Sequence, residues 1–367
     1  MKKYTELPLW ATALVLPLLN LFTALLVAAL VIKLMGESPV ESLGILVDNA
    51  FNLDSIGYTL FYATTFIFTG LSVSIAMKAG LFNIGSEGQM YLGGLGLTVA
   101  MLTLDARLPA ILLIPIAVAA AALFGALWAS LPAYLQARRG SHVVVTTIMF
   151  NFIAAALMNF LIVKYMIPLG EQNPSSRPFA DAGAMPRLGA WIERFADAPL
   201  NLSFLIAIVA LAVYGVAVWR SPWGYKLRAT GLNPKAAHYA GVSISRMIIV
   251  AMLISGALAG LGAVNSIMGS THYLSLNFPA GAGFIGIAIA LMGRQHPVGI
   301  FLSSVLFGAL IQGGSELSFQ KPNIPAEMFI FIQGLIILFC GAMEYLYGPT
   351  VLKLLNLINP FKGAQRV

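Results

Sequence analysis

The chain has 367 residues, of which 59% are hydrophobic and only 10% are charged, and its mean hydropathy is +0.86. This composition argues against a soluble globular fold and predicts an all-α integral membrane protein, because a chain inside the bilayer must satisfy its backbone polar groups within helices. The formal net charge is +7. The charges divide between loops on the two membrane faces, so the basic balance gives no reason to invoke nucleic acid.

Apolar runs of about 20 residues match the thickness of a hydrocarbon core. We expect ten spans, at residues 9–32, 56–77, 86–104, 109–131, 142–163, 201–219, 247–268, 281–293, 297–313 and 325–346. The first run is too long for a secretory signal and is predicted to be an uncleaved span. The eighth and ninth runs are short, so a hairpin that does not cross fully, leaving eight crossings, is the alternative.

Lys and Arg are distributed unevenly between the loops. The face that carries the N-terminus holds most of them, whereas most Asp and Glu residues lie on the opposite face. Because cytoplasmic loops are enriched in Lys and Arg, we expect both termini to be cytoplasmic.

A stretch with an acid, two amides and five glycines interrupts the apolar pattern at residues 78–94, with the helix break expected at residues 80–88. Irregular backbone at membrane depth survives only when it is buried in protein or lines a watery cavity. Glu87 lies in this stretch, and an ionisable residue there is by default a functional-site candidate. The alternative is that Glu87 only satisfies the backbone amides of the break.

Ten spans divide into two sets of five within one permease domain, residues 1–367. The odd number predicts that the second repeat, about 201–346, is inverted relative to the first, about 9–163. A second break at residues 277–286 corresponds in position to the first, and paired breaks indicate a transporter site at the repeat interface. A pure packing role for the glycines is the alternative. The external loop 164–200 either contacts a partner or is a solvated connector.

The loop 220–246 is expected to dock a soluble partner. Asn233 is suited to cap a short helix with Pro234 in its first turn, and Gly241 is suited to end that helix. The alternative is a basic loop held against anionic lipid headgroups, which accounts for the charges but not for the capped helix.

Three segments, residues 80–89 (Gly-Leu-Phe-Asn-Ile-Gly-Ser-Glu-Gly-Gln), 229–242 and 283–299, together resemble bacterial ABC import permeases of the branched-chain amino acid and monosaccharide group. The first is most similar to the nucleoside or simple-sugar branch. The resemblance covers roughly residues 50–345. It implies an inner-membrane location, a second permease, a cytoplasmic ATPase and an external substrate-binding lipoprotein. It also implies that the ATPase engages Gly231, Asn233, Pro234, Ala236, Ala237 and Gly241.

The chain contains no GxxxxGK[ST] phosphate loop, so a separate subunit must hydrolyse any ATP that drives transport. We therefore expect this chain not to be an enzyme and to hold no cofactor, with ATP and Mg²⁺ bound by the partner ATPase. Its four histidines are scattered without metal-ligand spacing, and we expect no metal site.

A nucleoside needs hydrogen-bonding groups for its hydroxyls and ring nitrogens, and a flat apolar face for its base. The candidate polar contacts are Asn83, Glu87 and Gln89, and the candidate stacking residues are Phe82 and Phe284. Weaker candidates are Asn151, Asn265 and Gln312, because a buried amide is more often interhelical glue.

The expected function is translocation by alternating access in an ATP-driven importer, with nucleosides as substrate. Monosaccharides or branched-chain amino acids as substrate would need no change in architecture. A proton-coupled secondary transporter that uses Glu87 is the alternative from a different class.

Overall fold

A computed structural model describes residues 15–180, 183–325, 327–339 and 351 of the chain. Regular structure in this part of the chain is helical, apart from isolated β-bridges at Ser175–Ser275 and Arg187–Asn201. The helices are α1 Leu16–Leu34, α2 Pro39–Phe51, α3 Ile56–Lys78, α4 Ser86–Leu104, α5 Ala110–Arg139, α6 Val143–Leu161, α7 Ser203–Arg220, α8 Pro222–Leu232, α9 Pro234–Tyr239, α10 Ile244–Ser266, α11 Ala282–Met292, α12 Pro297–Gln320 and α13 Glu327–Phe339.

Six helices of the described residues are long and apolar enough to cross a membrane. They are α3, α5, α6, α7, α10 and α12, of which α6 and α10 continue into π-helical turns at Ile162–Met166 and Ile267–Thr271. The prediction of an all-α membrane protein is confirmed. The first and last predicted spans, 9–32 and 325–346, extend beyond the described residues, as do both termini.

The predicted eighth span corresponds to α11, which has 11 residues. At about 1.5 Å per residue, such a helix is only about half as long as a hydrocarbon core is thick. The short helix is followed at once by α12, which runs on to Gln320 and is longer than the predicted ninth span. Helix α12 is thus long enough to cross a membrane by itself, whereas α11 is not.

Helix α2 was not expected, because residues 33–55 fall between two predicted spans. Its buried residues Ser42, Leu46 and Ala50 recur every four positions, which places them on one face of the helix. The helix is therefore amphipathic, and its polar positions hide it from a search for continuous apolar runs.

The chain divides into two compact units. In the unit made of residues 1–50 and 310–367, Gly313 packs closely against the backbone of Leu46, and the Lys321 ammonium pairs with Glu37 at 3.4 Å and Glu41 at 2.9 Å. A Cβ on Gly313 would collide with the carbonyl of Leu46, so this position requires glycine.

The unit of residues 51–309 is built around α3, α4, α5 and α10, which pack on one another. Its helices approach closely at glycines: a Cβ on Gly256 would collide with Gly125, and a Cβ on Gly93 would collide with Gly260. Gly256 and Gly260 therefore act as packing residues, as their GxxxG spacing predicts. This unit contains both predicted helix breaks.

Candidate functional site at two helix breaks

Both predicted breaks are present. Helix α3 ends at Lys78, Gly80 turns the chain with a φ of +77°, and α4 begins only at Ser86. The second break follows the π-helical turn after α10 and ends where Gly281, with a φ of +82°, precedes α11. Asn277 and Ala280 in this break also have left-handed backbone conformations, with φ of 55° and 47°. Such conformations cost free energy in non-glycine residues and are often associated with functional sites.

The N-termini of α4 and α11 meet. The two carboxylate oxygens of Glu87, in the first turn of α4, accept the backbone N–H groups of Gly281 at 2.9 Å and Gly283 at 2.8 Å. A Cβ on Gly283 would lie 2.5 Å from the Cα of Glu87, so only glycine permits this approach. Glu87 thus satisfies backbone amides at a helix terminus, and these amides belong to the second break.

Backbone N–H groups, and not a cation, are the partners of the Glu87 side chain. Its side chain is buried, and no ion pair reaches it among the residues that the structure describes. The N-termini of two helices, each with a partial positive charge, converge on the carboxylate instead. The oxygens of a carboxyl group have more lone pairs than the two N–H groups already bound can use, so Glu87 retains acceptor capacity.

Asn83 holds the first break against its neighbours. Its amide N–H group donates to Ser255 Oγ at 2.8 Å and to Gln89 Oε1 at 3.1 Å, while its carbonyl accepts the backbone N–H of Gly85 at 2.8 Å. The hydroxyl groups of Ser72 and Ser86 extend the network, since they lie 2.9 Å apart and Ser72 Oγ is 3.1 Å from Ser255 Oγ. The break is therefore tied to both α3 and α10.

Asn151 fastens the same break from α6. Its carbonyl accepts the N–H of Gly88 at 2.9 Å, and its amide donates to the carbonyl of Ile84 at 2.8 Å. Asn265 serves a different junction, where it donates to the Phe61 carbonyl at 2.8 Å and accepts from Asn201 and Ser203 at 3.1 and 2.8 Å. Both side chains act as interhelical glue in this structure.

The second break rests on α4 through residues that sequence reasoning missed. Tyr91 donates its hydroxyl to Asn277 Oδ1 at 2.9 Å, and its ring meets the edge of Phe278 with centroids 5.6 Å apart. Tyr91 lies four residues after Glu87 and so shares its helix face. That spacing was the available signal for Tyr91, whereas Asn277 and Phe278 had none beyond their place in the break.

The predicted stacking residues lie one at each of the two breaks. Phe82 is half-buried in the first break, and Phe284, in the first turn of α11, is 46% exposed. No ring contact joins them within the described part of the chain. Gln312 belongs to the other compact unit, where it is buried.

The predicted capped helix in the loop is confirmed as α9. Asn233 Oδ1 accepts the N–H of Ala236 at 3.1 Å, Pro234 occupies the first turn, and Gly241 follows the helix with a φ of +80°. Helix α8 before it was missed, although Ser221 caps it by accepting the N–H of Gly224 at 2.9 Å.

The loop touches the first break directly. Gly231, at the end of α8, packs against Gly80, since a Cβ added to Gly80 would lie 3.2 Å from the Cα of Gly231. A Cβ added to Gly231 would collide with the carbonyl of Lys78. Ala237 is buried, whereas Leu232 and Tyr239 are 87% and 91% exposed. Of the predicted coupling residues, Gly231 and Ala237 therefore pack inward, and the outward apolar surface belongs to Leu232 and Tyr239, which sequence reasoning did not select.

The loop 164–200 is folded onto residues 268–274. The N–H groups of Ser176, Phe179 and Met185 donate to the carbonyls of Leu274, His272 and Met268 at 2.8 to 2.9 Å. Both guanidinium NH₂ groups of Arg177 bind the buried Asp105 carboxylate, at 2.8 and 2.9 Å. This bidentate hydrogen bonding holds the pKa of Asp105 below its usual range.

The family model for the permease component of branched-chain amino acid transport systems matches residues 55–341, which include both breaks and the loop with α8 and α9. The glucose ABC transporter permease TsgB13 of Haloferax volcanii is 33% identical over 90% of this chain and 87% of its own length. The guanosine ABC transporter permease NupP of Bacillus subtilis is 32% identical over 90% of this chain and 93% of its own length. The nucleoside ABC transporter permease NupB of Lactococcus lactis is 33% identical over 88% of this chain and 89% of its own length.

Proposed function

We infer the function from one premise, which is that this chain belongs to the family of permease components of branched-chain amino acid transport systems. It is the membrane-spanning permease subunit of an ABC transporter. The match over residues 55–341 is the observation that carries this conclusion, because it includes both helix breaks and the loop with α8 and α9.

Nucleosides are the proposed substrates. Two of the three relatives described above are named for guanosine or nucleosides. A neutral nucleoside matches the candidate side chains, since Asn83, Glu87 and Gln89 are hydrogen-bonding groups and Phe82 and Phe284 are aromatic. A sugar is the second candidate, because the relative named for glucose has the same level of identity.

The proposed path passes the paired breaks. The hydrogen bond from Gln89 Nε2 to Asn83 Oδ1 is long, at 3.4 Å, and therefore weak. Little free energy is lost when a substrate hydroxyl takes the place of one of its partners. Glu87 keeps the N-termini of α4 and α11 together while retaining acceptor capacity. In this proposal α4 and α11 move together during alternating access, because Glu87 joins their N-termini. The inverted five-helix repeats remain part of this proposal.

The proposed docking surface for the ATPase is the exposed side of α9 and its flanks. Leu232 and Tyr239 supply apolar area and Lys235 supplies charge, while Asn233 and Gly241 shape the helix. Movement of this surface would reach the first break through the contact between Gly231 and Gly80.

The proposed partners are a second permease, cytoplasmic ATPase subunits that bind ATP and Mg²⁺, and an external substrate-binding lipoprotein. The bias of Lys and Arg supports cytoplasmic termini in a bacterial inner membrane.

Uptake of radiolabelled guanosine, uridine and glucose tests the proposal. Cells would express this chain with its genomically neighbouring ATPase and binding-protein genes, and a matched set would carry an ATPase whose phosphate-loop Lys is replaced. We expect uptake of a nucleoside with the intact ATPase and none with the inactive one. Uptake of glucose alone would select the second candidate. Uptake that persists without ATPase activity and collapses with the proton gradient would overturn the proposal in favour of a secondary transporter.

A further inference from the structure

A pair of cations lies on one aromatic ring where α3, α7 and α8 end. The Lys78 ammonium and the Arg228 guanidinium are each 4.8 Å from the centroid of the Trp219 ring. Both side chains belong to half-buried residues. Contact with the indole offsets part of the cost of removing a cation from water. Two positive charges held beside one ring nevertheless repel each other.

The residues that the structure describes form no ion pair with either cation. No Asp or Glu occurs between Asp197 and Glu316 in the sequence, a stretch that forms α7 to α11 and most of α12. Charges that are partly removed from water are ordinarily paired, so this pair of cations is suited to an anion supplied by another molecule.

Two adjoining cavities meet at Trp219. The first, of about 560 Å³, contains the two cations together with Tyr225 and Gln295. The second, of about 720 Å³, is a groove between α7 and the start of α12. Its lining is apolar except at one end, and consists of Ile208, Leu211, Ala212, Gly215, Val216, Trp219, Pro297, Val298 and Phe301 with Arg220 and His296.

We propose that the two cavities form one site for an anionic phospholipid, with its phosphate between Lys78 and Arg228 and an acyl chain in the α7–α12 groove. The two cations suit an anion, and the apolar lining of the groove suits an acyl chain attached to that anion. A soluble phosphate would satisfy only the first cavity. Basic pockets between membrane helices suit anionic lipid headgroups, and Trp favours the membrane interface at which such a headgroup lies.

The site has a consequence for the loop. Arg228 and Tyr225 belong to α8, whereas Lys78 ends α3 and Trp219 lies at the end of α7. One phosphate bound between Lys78 and Arg228 therefore ties α8 to α3. The same end of α8 carries Gly231, which contacts the first break.

Native mass spectrometry of the full-length chain, purified and stripped of lipid in neutral detergent, tests the site. Dioleoyl phosphatidylglycerol and dioleoyl phosphatidylcholine have the same acyl chains and differ in net charge. We expect the anionic lipid to bind at least about tenfold more tightly. The double variant Lys78→Gln/Arg228→Gln should lose this preference. The matched control Arg138→Gln/Arg139→Gln removes two exposed cations at the end of α5 and should keep it.

Two further arms separate the sources of the anion. Inorganic phosphate in millimolar excess should not displace the lipid, and displacement would assign the site to a soluble anion. Ala212→Trp fills the groove from its exposed side without touching either cation, and it should weaken binding of the anionic lipid about tenfold. Equal binding of the two lipids, or undiminished binding in both Ala212→Trp and the double variant, would overturn the proposal. These measurements read lipid binding and not uptake, so they are independent of the proposed transport function.

Discussion

Glu87 and Gly283 join the two helix breaks: the Glu87 carboxylate accepts the N–H of Gly283 at 2.8 Å, and its other oxygen accepts the N–H of Gly281 at 2.9 Å. The first turn of α4 is thereby fixed to the first turn of α11. A substitution on either side of this joint affects both α4 and α11. Its effect on stability therefore has to be measured beside its effect on transport.

Replacing Glu87 by Gln should destabilise the protein. The Gln carbonyl can serve only one of the two N–H groups, and the Gln NH₂ group would face the other as a second donor. A buried N–H left without an acceptor costs about 1–3 kcal/mol. Thermal unfolding in detergent, followed by circular dichroism, measures the loss. Glu171→Gln, at an exposed position of the loop 164–200, is the control and should leave the melting temperature unchanged. Equal melting temperatures for both variants would show that Glu87 does not hold the joint.

Gly283→Ala tests the close approach itself. The new Cβ would lie 2.5 Å from the Cα of Glu87, so the backbone of α4 or of α11 must shift. Overpacking of this kind costs about 1–3 kcal/mol. Gly44→Ala in α2 is the matched control, because a Cβ there meets no atom within 4 Å; it should be neutral or raise stability by up to about 1 kcal/mol. A melting temperature of Gly283→Ala at or above that of Gly44→Ala would contradict the joint.

The ion pair of Arg177 with Asp105 should hold the loop 164–200 in place. Arg177→Gln leaves the buried carboxylate with the N–H of Ala180, at 3.1 Å, among its acceptor contacts. Arg177 is 45% exposed, so solvent screens part of the interaction. We expect cleavage of the loop by added protease to accelerate severalfold at pH 7. Arg187→Gln, elsewhere in the loop, is the control.

The pH dependence of the same pair has a definite sign. Arg177 lowers the pKa of Asp105 in the folded protein, relative to an unfolded value of about 3.9. The stabilisation is therefore complete above that value and is lost as the pH falls through the native pKa. The difference in melting temperature between wild type and Arg177→Gln should be constant from pH 8 to pH 5 and should shrink below about pH 4. A difference that grows on acidification would contradict this ion pair.

Leu232→Asp should impair coupling to the ATPase without unfolding the chain. Leu232 is 87% exposed beside α9, so the change places a charge in the proposed docking surface and not in the core. We expect at least about a tenfold loss of ATPase-dependent uptake, since truncating an apolar contact at the centre of an interface costs about 2 kcal/mol. Leu169→Asp is the control, because Leu169 is fully exposed on the loop 164–200, away from α9 in the sequence. Similar uptake in the two variants would remove Leu232 from the docking surface.

Sequence reasoning located the helices by their apolar runs and the breaks by their glycines. It missed α2 and α8 because a short helix with polar positions leaves no continuous apolar run. It selected Gly231 and Ala237 for docking because both lie in the motif, whereas the folded loop turns them inward and exposes Leu232 and Tyr239. Periodicity and caps indicate that a helix forms, but they do not say which face its neighbours cover.

The sequence by itself determined the membrane class, the two breaks and the capped helix at Asn233, because each depends on local composition or on hydrogen bonds within a few residues. Only the tertiary structure decided that Glu87 binds the amides of Gly281 and Gly283, which lie 194 and 196 positions away in the chain. It likewise brought Lys78 and Arg228 to one Trp219 ring. Contacts between distant segments depend on how the helices pack, and that packing is set by many side chains together, so no single motif encodes it.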